Sequence, residues 1–291
     1  MIVALILLCV LLPTDLWAWG PGTHLMLGEH ALRTLTAQGG DLARLLLQYP
    51  QAYVYGNLIA DLVTAKRFRI DYAQHSHNWD VGFSLVDRAG GPEEQAAAWG
   101  YLSHLAADIV AHNLFVPVKL ALSRDSRLRG HAYWEMRFDA HWDRDTVGRT
   151  RDFDPQLQRF LDAYFMRHIT PTLFSHRTNR QIFGAFLQAQ SGQLYRSFAE
   201  RSRERSRYEL PASLFESYME LNHRAVADLL KQGQQSSLLR GDPTGHANLK
   251  LAASMPRPRA ARELLRPDIY ARFYETLPTL LTDQSRVSPN P

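Results

Sequence analysis

"EEQAAAWGYLSHLAADIVAHNLF" runs from Glu93 to Phe115. Apolar residues recur through it at three- and four-residue spacing, the period of an α-helix. Leu102, Leu105, Ala106, Ile109 and Val110 surround His104, Asp108 and His112. At about 100° per residue, positions i, i+4 and i+8 drift only about 80° around a helix, so the three polar side chains share one face. A carboxylate and two imidazoles inside an apolar helix are costly unless partnered. A metal ion is one partner that accepts both ligand types. Core histidines satisfied by hydrogen bonds, or a solvated stripe, are the other readings.

The same periodicity extends outward in both directions. "THLMLGEHALRTL" (23–35), "HAYWEMRFDAHW" (131–142), "PQLQRFLDAYFMRHI" (155–169), "NRQIFGAFLQAQSGQLYRSFAERSRERS" (179–206) and "PASLFESYMELNHRAVADLLKQG" (211–233) all carry it. Strand-like alternation is scarce, and turn clusters such as "RAGGPEE" (88–94) separate the segments. The expectation is an all-α fold, one compact multi-helix domain over residues 19–232. From about Gln232 the chain becomes loop-rich, with "GQQSS", "GDPTG" and "MPRPRAA", so residues 233–291 are expected to form a tail or a short helical appendage.

Residues 1–18, "MIVALILLCVLLPTDLWA", read as a secretory signal cut after Ala18, which implies export. The apolar run Ile2–Leu12 is too short for a membrane span, and the alternative is a retained anchor. The one cysteine, Cys9, lies in that segment, so the mature chain is expected to fold without a disulfide. The net charge of +4 gives modest attraction to anionic surfaces and does not by itself indicate nucleic acid.

Eight of the 12 histidines fall between His24 and His141, which places any chemistry in the N-terminal half. His131 and Glu135 form a second i, i+4 pair in "GHAYWEMRFDAHWD"; such pairs also occur on exposed helices. Asp139 and His141 leave the His131 face and are set aside. Asp61 sits in an apolar setting in "NLIADLV", where a capping or salt-bridged aspartate is the alternative. His75 and His77 follow in "QHSHNWD". With His24, this inventory holds imidazoles and carboxylates and no thiolate, which suits zinc ahead of iron or manganese. It exceeds what one tetrahedral zinc needs, so two or three ions are implied.

In their order along the chain, these segments resemble the zinc-dependent phospholipase C family. That family includes the catalytic domain of glycosylphosphatidylinositol-specific phospholipase D and shares its all-α architecture with fungal single-strand-specific zinc nucleases. The resemblance covers Trp19 to His141. It implies that Trp19 offers its terminal amine and carbonyl to one zinc, together with His24. A second zinc takes Asp61, His77 and His104, with Asp108 bridging the two. The third takes His112, His131 and Glu135. His77 is preferred to His75 because "HNWD" matches the family's order of histidine, aromatic and aspartate. His112 stands four residues after Asp108, as in the glycosylphosphatidylinositol-specific branch, and six in the small bacterial lecithinases. The resemblance thus implies a phospholipase C/D-type phosphodiesterase acting on phospholipid through a metal-activated water, with Asp61 as ligand or base.

A nuclease on the same architecture is the enzymatic alternative, and it calls for aromatic platforms that stack bases. Tyr53, Tyr55, Trp79 and Phe83 are the residues available for that. A non-catalytic zinc-binding protein, with a closed metal site, is the alternative of another class. "RSFAERSRERSRYEL" (196–210) reads as a solvated face with compensating Glu200 and Glu204, or as a contact for an anionic membrane surface. Oligomeric state is not readable.

Overall fold

The computed structural model describes residues 19–35, 39–62, 76–123, 127–142, 146–169, 181, 184, 187–188, 192–204, 206 and 208–254, and no strand occurs among them. The helices are α1 (Pro21–Leu35), α2 (Asp41–Gln48), α3 (Pro50–Ile59), α4 (Trp79–Asp87), α5 (Pro92–Val110), α6 (Val116–Ser123), α7 (Arg127–Asp139), α8 (Pro155–His168), α9 (Gln193–Glu204), α10 (Ala212–Gln232) and α11 (His246–Ser254). The expected signal segment, His75 and residues 255–291 lie outside the described residues. No described helix is long and apolar enough to cross a membrane.

α5 is the axis of the molecule. Pro92 opens it, and Glu93 and Glu94 place negative charge at its positive end. From Ala96 to Val110 almost every side chain is buried. A helix buried on all sides has to be enclosed, and α1, α3, α4 and α10 pack around it. Small residues let α3 come closest. A Cβ on Gly56 would stand 1.9 Å from the Ala97 carbonyl oxygen, and one on Gly100 would stand 2.0 Å from that of Tyr53. Only glycine permits that crossing, and it brings the end of α3 against His104.

α5 does not run on as a regular helix through His112. At Val110 it passes into a π turn, Ala111–Phe115, and then into α6. His112 lies in that turn and is grouped with His131 and Glu135, apart from His104 and Asp108. Single π turns inside α-helices occur frequently at functional sites.

Residues 233–254 of the expected tail lie against this same region. α11 packs on the π turn and on α6. Trp79 donates its indole N–H to the Gly241 carbonyl at 2.9 Å. Asn113 Nδ2 donates to the Asp242 carbonyl at 2.9 Å, and Asn248 Nδ2 to Asn113 Oδ1 at 2.9 Å.

Candidate metal centre

Three groups of buried side chains bring ligand atoms together within 4.8 Å: His24, His104 and Asp108; Asp61, His77 and His104; His112, His131 and Glu135. Each group draws on more than one element. α1 supplies His24, α5 supplies His104 and Asp108, and the 3₁₀ turn Ala60–Leu62 after α3 supplies Asp61. His77 precedes α4, whose start is fixed by Asn78 Oδ1 accepting the Asp80 N–H at 2.8 Å. The π turn carries His112, and α7 carries His131 and Glu135.

The first two groups share His104 and form one continuous cluster. His77 Nε2 and His104 Nε2 lie 3.0 and 3.2 Å from Asp108 Oδ2, and His24 Nε2 lies 3.5 Å from Asp108 Oδ1. Asp61 Oδ1 lies 3.4 Å from His77 Nε2 and 3.6 Å from His104 Nε2. The rings of His24 and His104 stack with centroids 3.8 Å apart. In the third group His131 Nε2 stands 2.6 Å from Glu135 Oε1. The His112 and His131 rings meet edge to face with centroids 5.0 Å apart.

Backbone carbonyls orient two of these rings. The Asn57 carbonyl lies 2.8 Å from His104 Nδ1, and the Pro243 carbonyl lies 2.6 Å from His112 Nδ1. A carbonyl only accepts, so in each ring Nδ1 carries the proton and Nε2 presents a lone pair to its group. With Nδ1 as the donor, the 3.1 Å approach of His104 Nε2 to His77 Nε2 points a lone pair at a second ring nitrogen. A cation between such groups resolves the crowding, and outer acceptors of this kind are the usual companions of metal-bound histidine.

Electrostatics agree with this fit. Burial, and then the charge of His104, pushes His24 down to about 3, so the ring is neutral near pH 7 and ready to donate a lone pair. Its two ring nitrogens are buried and make no hydrogen bond, which is the condition a metal ion relieves. Burial opposes the charge on Asp108, yet positive charge and N–H donation at His104 and His77 would hold its carboxyl well below the usual carboxylate range, a role that passes to a cation when these rings turn lone pairs inward. The donor set is imidazole plus carboxylate, without thiolate, which suits zinc.

Trp19 is fully buried. Its indole N–H is shared between the Ala107 carbonyl at 3.1 Å and Asn222 Oδ1 at 2.9 Å. Its ring lies on Phe138 and Phe115, with centroids 4.0 and 5.0 Å away. The anchors Asn57, Asn222 and Pro243 were not among the residues singled out from sequence, because asparagine and a backbone carbonyl carry no metal-type signal. Of the rings considered for base stacking, Tyr53 and Trp79 are buried and hydrogen-bonded inside the fold, Tyr53 to Ser103 and Trp79 to Gly241. Those two are not available as a platform.

The zinc dependent phospholipase C family model matches residues 23–184, more than half of the chain. The protein belongs to the zinc-dependent phospholipase C family. The match begins at Thr23, so it takes in the eight side chains of the three groups and leaves Trp19 just outside. No curated protein and no solved structure matches the chain. Membership makes this a chain of zinc-dependent hydrolase type with a lipid substrate class, folded as the all-α architecture that its sequence implies.

Proposed function

We propose that this family member is an exported phosphodiesterase that hydrolyses phospholipid head groups with two or three zinc ions. The observation that carries the reading is the convergence of three buried ligand groups, two of them joined through His104. In this reading His24 and the Trp19 main chain hold one ion, Asp61, His77 and His104 a second, and His112, His131 and Glu135 a third. Asp108 lies between the first two, with one oxygen toward His24 and the other toward His77 and His104.

Zinc bound there supplies a Lewis acid for the phosphoryl oxygens and an acidified water as nucleophile. The chain's own residues do the rest. Asn57 and Pro243 hold His104 and His112 with their Nε2 atoms aimed inward. Asp61, in the turn Ala60–Leu62 and beside His77, would be a ligand or accept the proton of the attacking water. Trp19, Phe115 and Phe138 form an apolar wall next to the site. Export would expose Trp19 as the first residue, and its amine, with an ordinary pKa near about 7.7–8.0, gives up its proton to zinc at small cost.

The test is an assay of processed protein on phosphatidylcholine, phosphatidylinositol and single-stranded DNA, with and without chelator. Chelator-sensitive release of a phosphorylated head group or of diacylglycerol is expected. Cleavage of DNA alone would favour the nuclease, and zinc binding with no turnover would favour a binding protein.

A further inference from the structure

The N–H groups that open a helix have no partner inside it. At the start of α1 they point to one carboxylate on another helix. Asp139, the last residue of α7, accepts the Gly22 N–H at Oδ2 over 3.0 Å and the Thr23 N–H at Oδ1 over 3.0 Å. Oδ1 also accepts the Thr23 hydroxyl at 2.5 Å, and Trp142 donates its indole N–H to the same Thr23 oxygen at 2.8 Å. Negative charge is favoured at this end of a helix. The chain before α1 is shaped to the carboxylate as well. A Cβ on Gly20 would stand 2.1 Å from Asp139 Oδ2, and one on Gly22 would stand 3.0 Å from it. "WGPGT" (19–23) is therefore a turn moulded around a side chain more than a hundred residues away.

We propose that Asp139 is a positioning residue, whose clasp on the Gly20–Thr23 turn fixes Trp19 and His24 against α7. This rests on the reading of His24 as a zinc ligand. His24 follows Thr23 directly, and Glu135 stands one helical turn before Asp139 on α7. One carboxylate thus ties a member of the first ligand group to a member of the third through two short spans of backbone. Asp139 belongs to none of the three groups and acts through the main chain it holds. An ordinary helix cap would support stability alone, whereas a positioning clasp also sets how tightly the His24 site keeps its ion.

The experiment uses zinc-loaded processed protein, beginning at Trp19, and the variants Asp139→Ala, Asp139→Asn, Gly20→Ala, Gly20→Ala with Asp139→Ala, and His24→Ala. Zinc per chain, the rate of zinc transfer to a colorimetric chelator, and melting of the metal-stripped protein are measured. Asp139→Ala and Gly20→Ala should each speed the loss of one ion by about 10- to 100-fold, the range for residues that hold metal ligands in place. Asp139→Asn keeps an acceptor and should fall between them and the parent. The double variant should release zinc no faster than the worse single variant, because a Cβ at residue 20 has room once the carboxylate is gone. Wild-type release from Asp139→Ala with a lowered melting point, or additive effects in the double variant, would overturn the proposal. If Asp139→Ala fails to fold, the release rates of Gly20→Ala and Asp139→Asn decide the question in its place, and wild-type release from both would overturn it. A His24→Ala protein with full zinc content and unchanged release would instead show that the ligand assignment itself is wrong.

Discussion

Asp108 is the side chain on which the site turns. It is fully buried, and its two oxygens face His24 on one side and His77 and His104 on the other. Asp108→Asn keeps the shape and removes the charge that two cations would share. Hydrolysis should fall by more than about 100-fold, beyond the range for outer partners of a metal site, and elemental analysis should show fewer zinc ions per chain. Near-normal turnover with full zinc would dismiss the bridge. His77→Ala should be as severe, since His77 Nε2 lies within 3.4 Å of both Asp61 and Asp108. The side chains of the three groups stood out in the sequence as candidates, since imidazole and carboxylate in apolar segments need a partner, but their division into groups and the choice of His77 over His75 came from the family resemblance. What orients them was not. The carbonyls of Asn57 and Pro243 are properties of the folded backbone, and Asp139, set aside on its helical angle, works at a helix start that only the tertiary fold brings within reach.

At the scale of elements, the α3–α5 crossing carries the site. Gly56→Ala would drive a methyl group into the Ala97 carbonyl, and a backbone atom yields less readily than a side chain. A cost of about 1–3 kcal/mol is expected from overpacking of this kind. It should read out as a lower melting temperature together with weaker zinc retention, because the Asn57 carbonyl that orients His104 moves with α3. A lower melting point with unchanged zinc retention would mean that the crossing supports the fold alone. α1, α5, α7, α8, α9 and α10 were readable from their apolar period, whereas α2, α3, α4 and α6 were not singled out. The π turn was not readable, since a π turn between α5 and α6 leaves the apolar pattern intact. The "GDPTG" segment was equally opaque. It reads as loop, and its partner is the π turn it packs against.

Across the whole molecule, metal binding and proton uptake are two ways in which stability is expected to shift. The ligand groups are assembled only in the folded chain, so zinc that binds them stabilises the fold by mass action. Chelation should lower the melting temperature, and added zinc should restore it; a melting point indifferent to chelator would argue against metal at a buried site. Proton uptake acts at the other side of α1. There His30 stacks face to face on His223 of α10, with ring centroids 3.5 Å apart. The pair borders a cavity of about 240 Å³ walled by Leu27, Ala31, Leu35, Val226 and Leu230. Burial, then the charges of His30 and Arg33, pushes His223 down to about 4. Burial and Arg33 also lower His30, against a smaller opposing pull from Glu220. The sign follows from which state binds protons. Between about 4 and the ordinary value of 6.5, the unfolded chain is protonated at His223 and the native state is not. Stability is therefore fully present above pH 6.5 and is lost as the pH falls toward 4. His223→Gln removes this loss. Between pH 7 and pH 5, chemical denaturation of metal-stripped protein should show the parent losing more stability than the variant, by on the order of 1 kcal/mol after solvent screening. Metal-stripped samples keep zinc release out of the comparison. Parallel pH profiles for the two proteins would mean that the stacked pair takes up its proton as readily in the fold as in the unfolded chain.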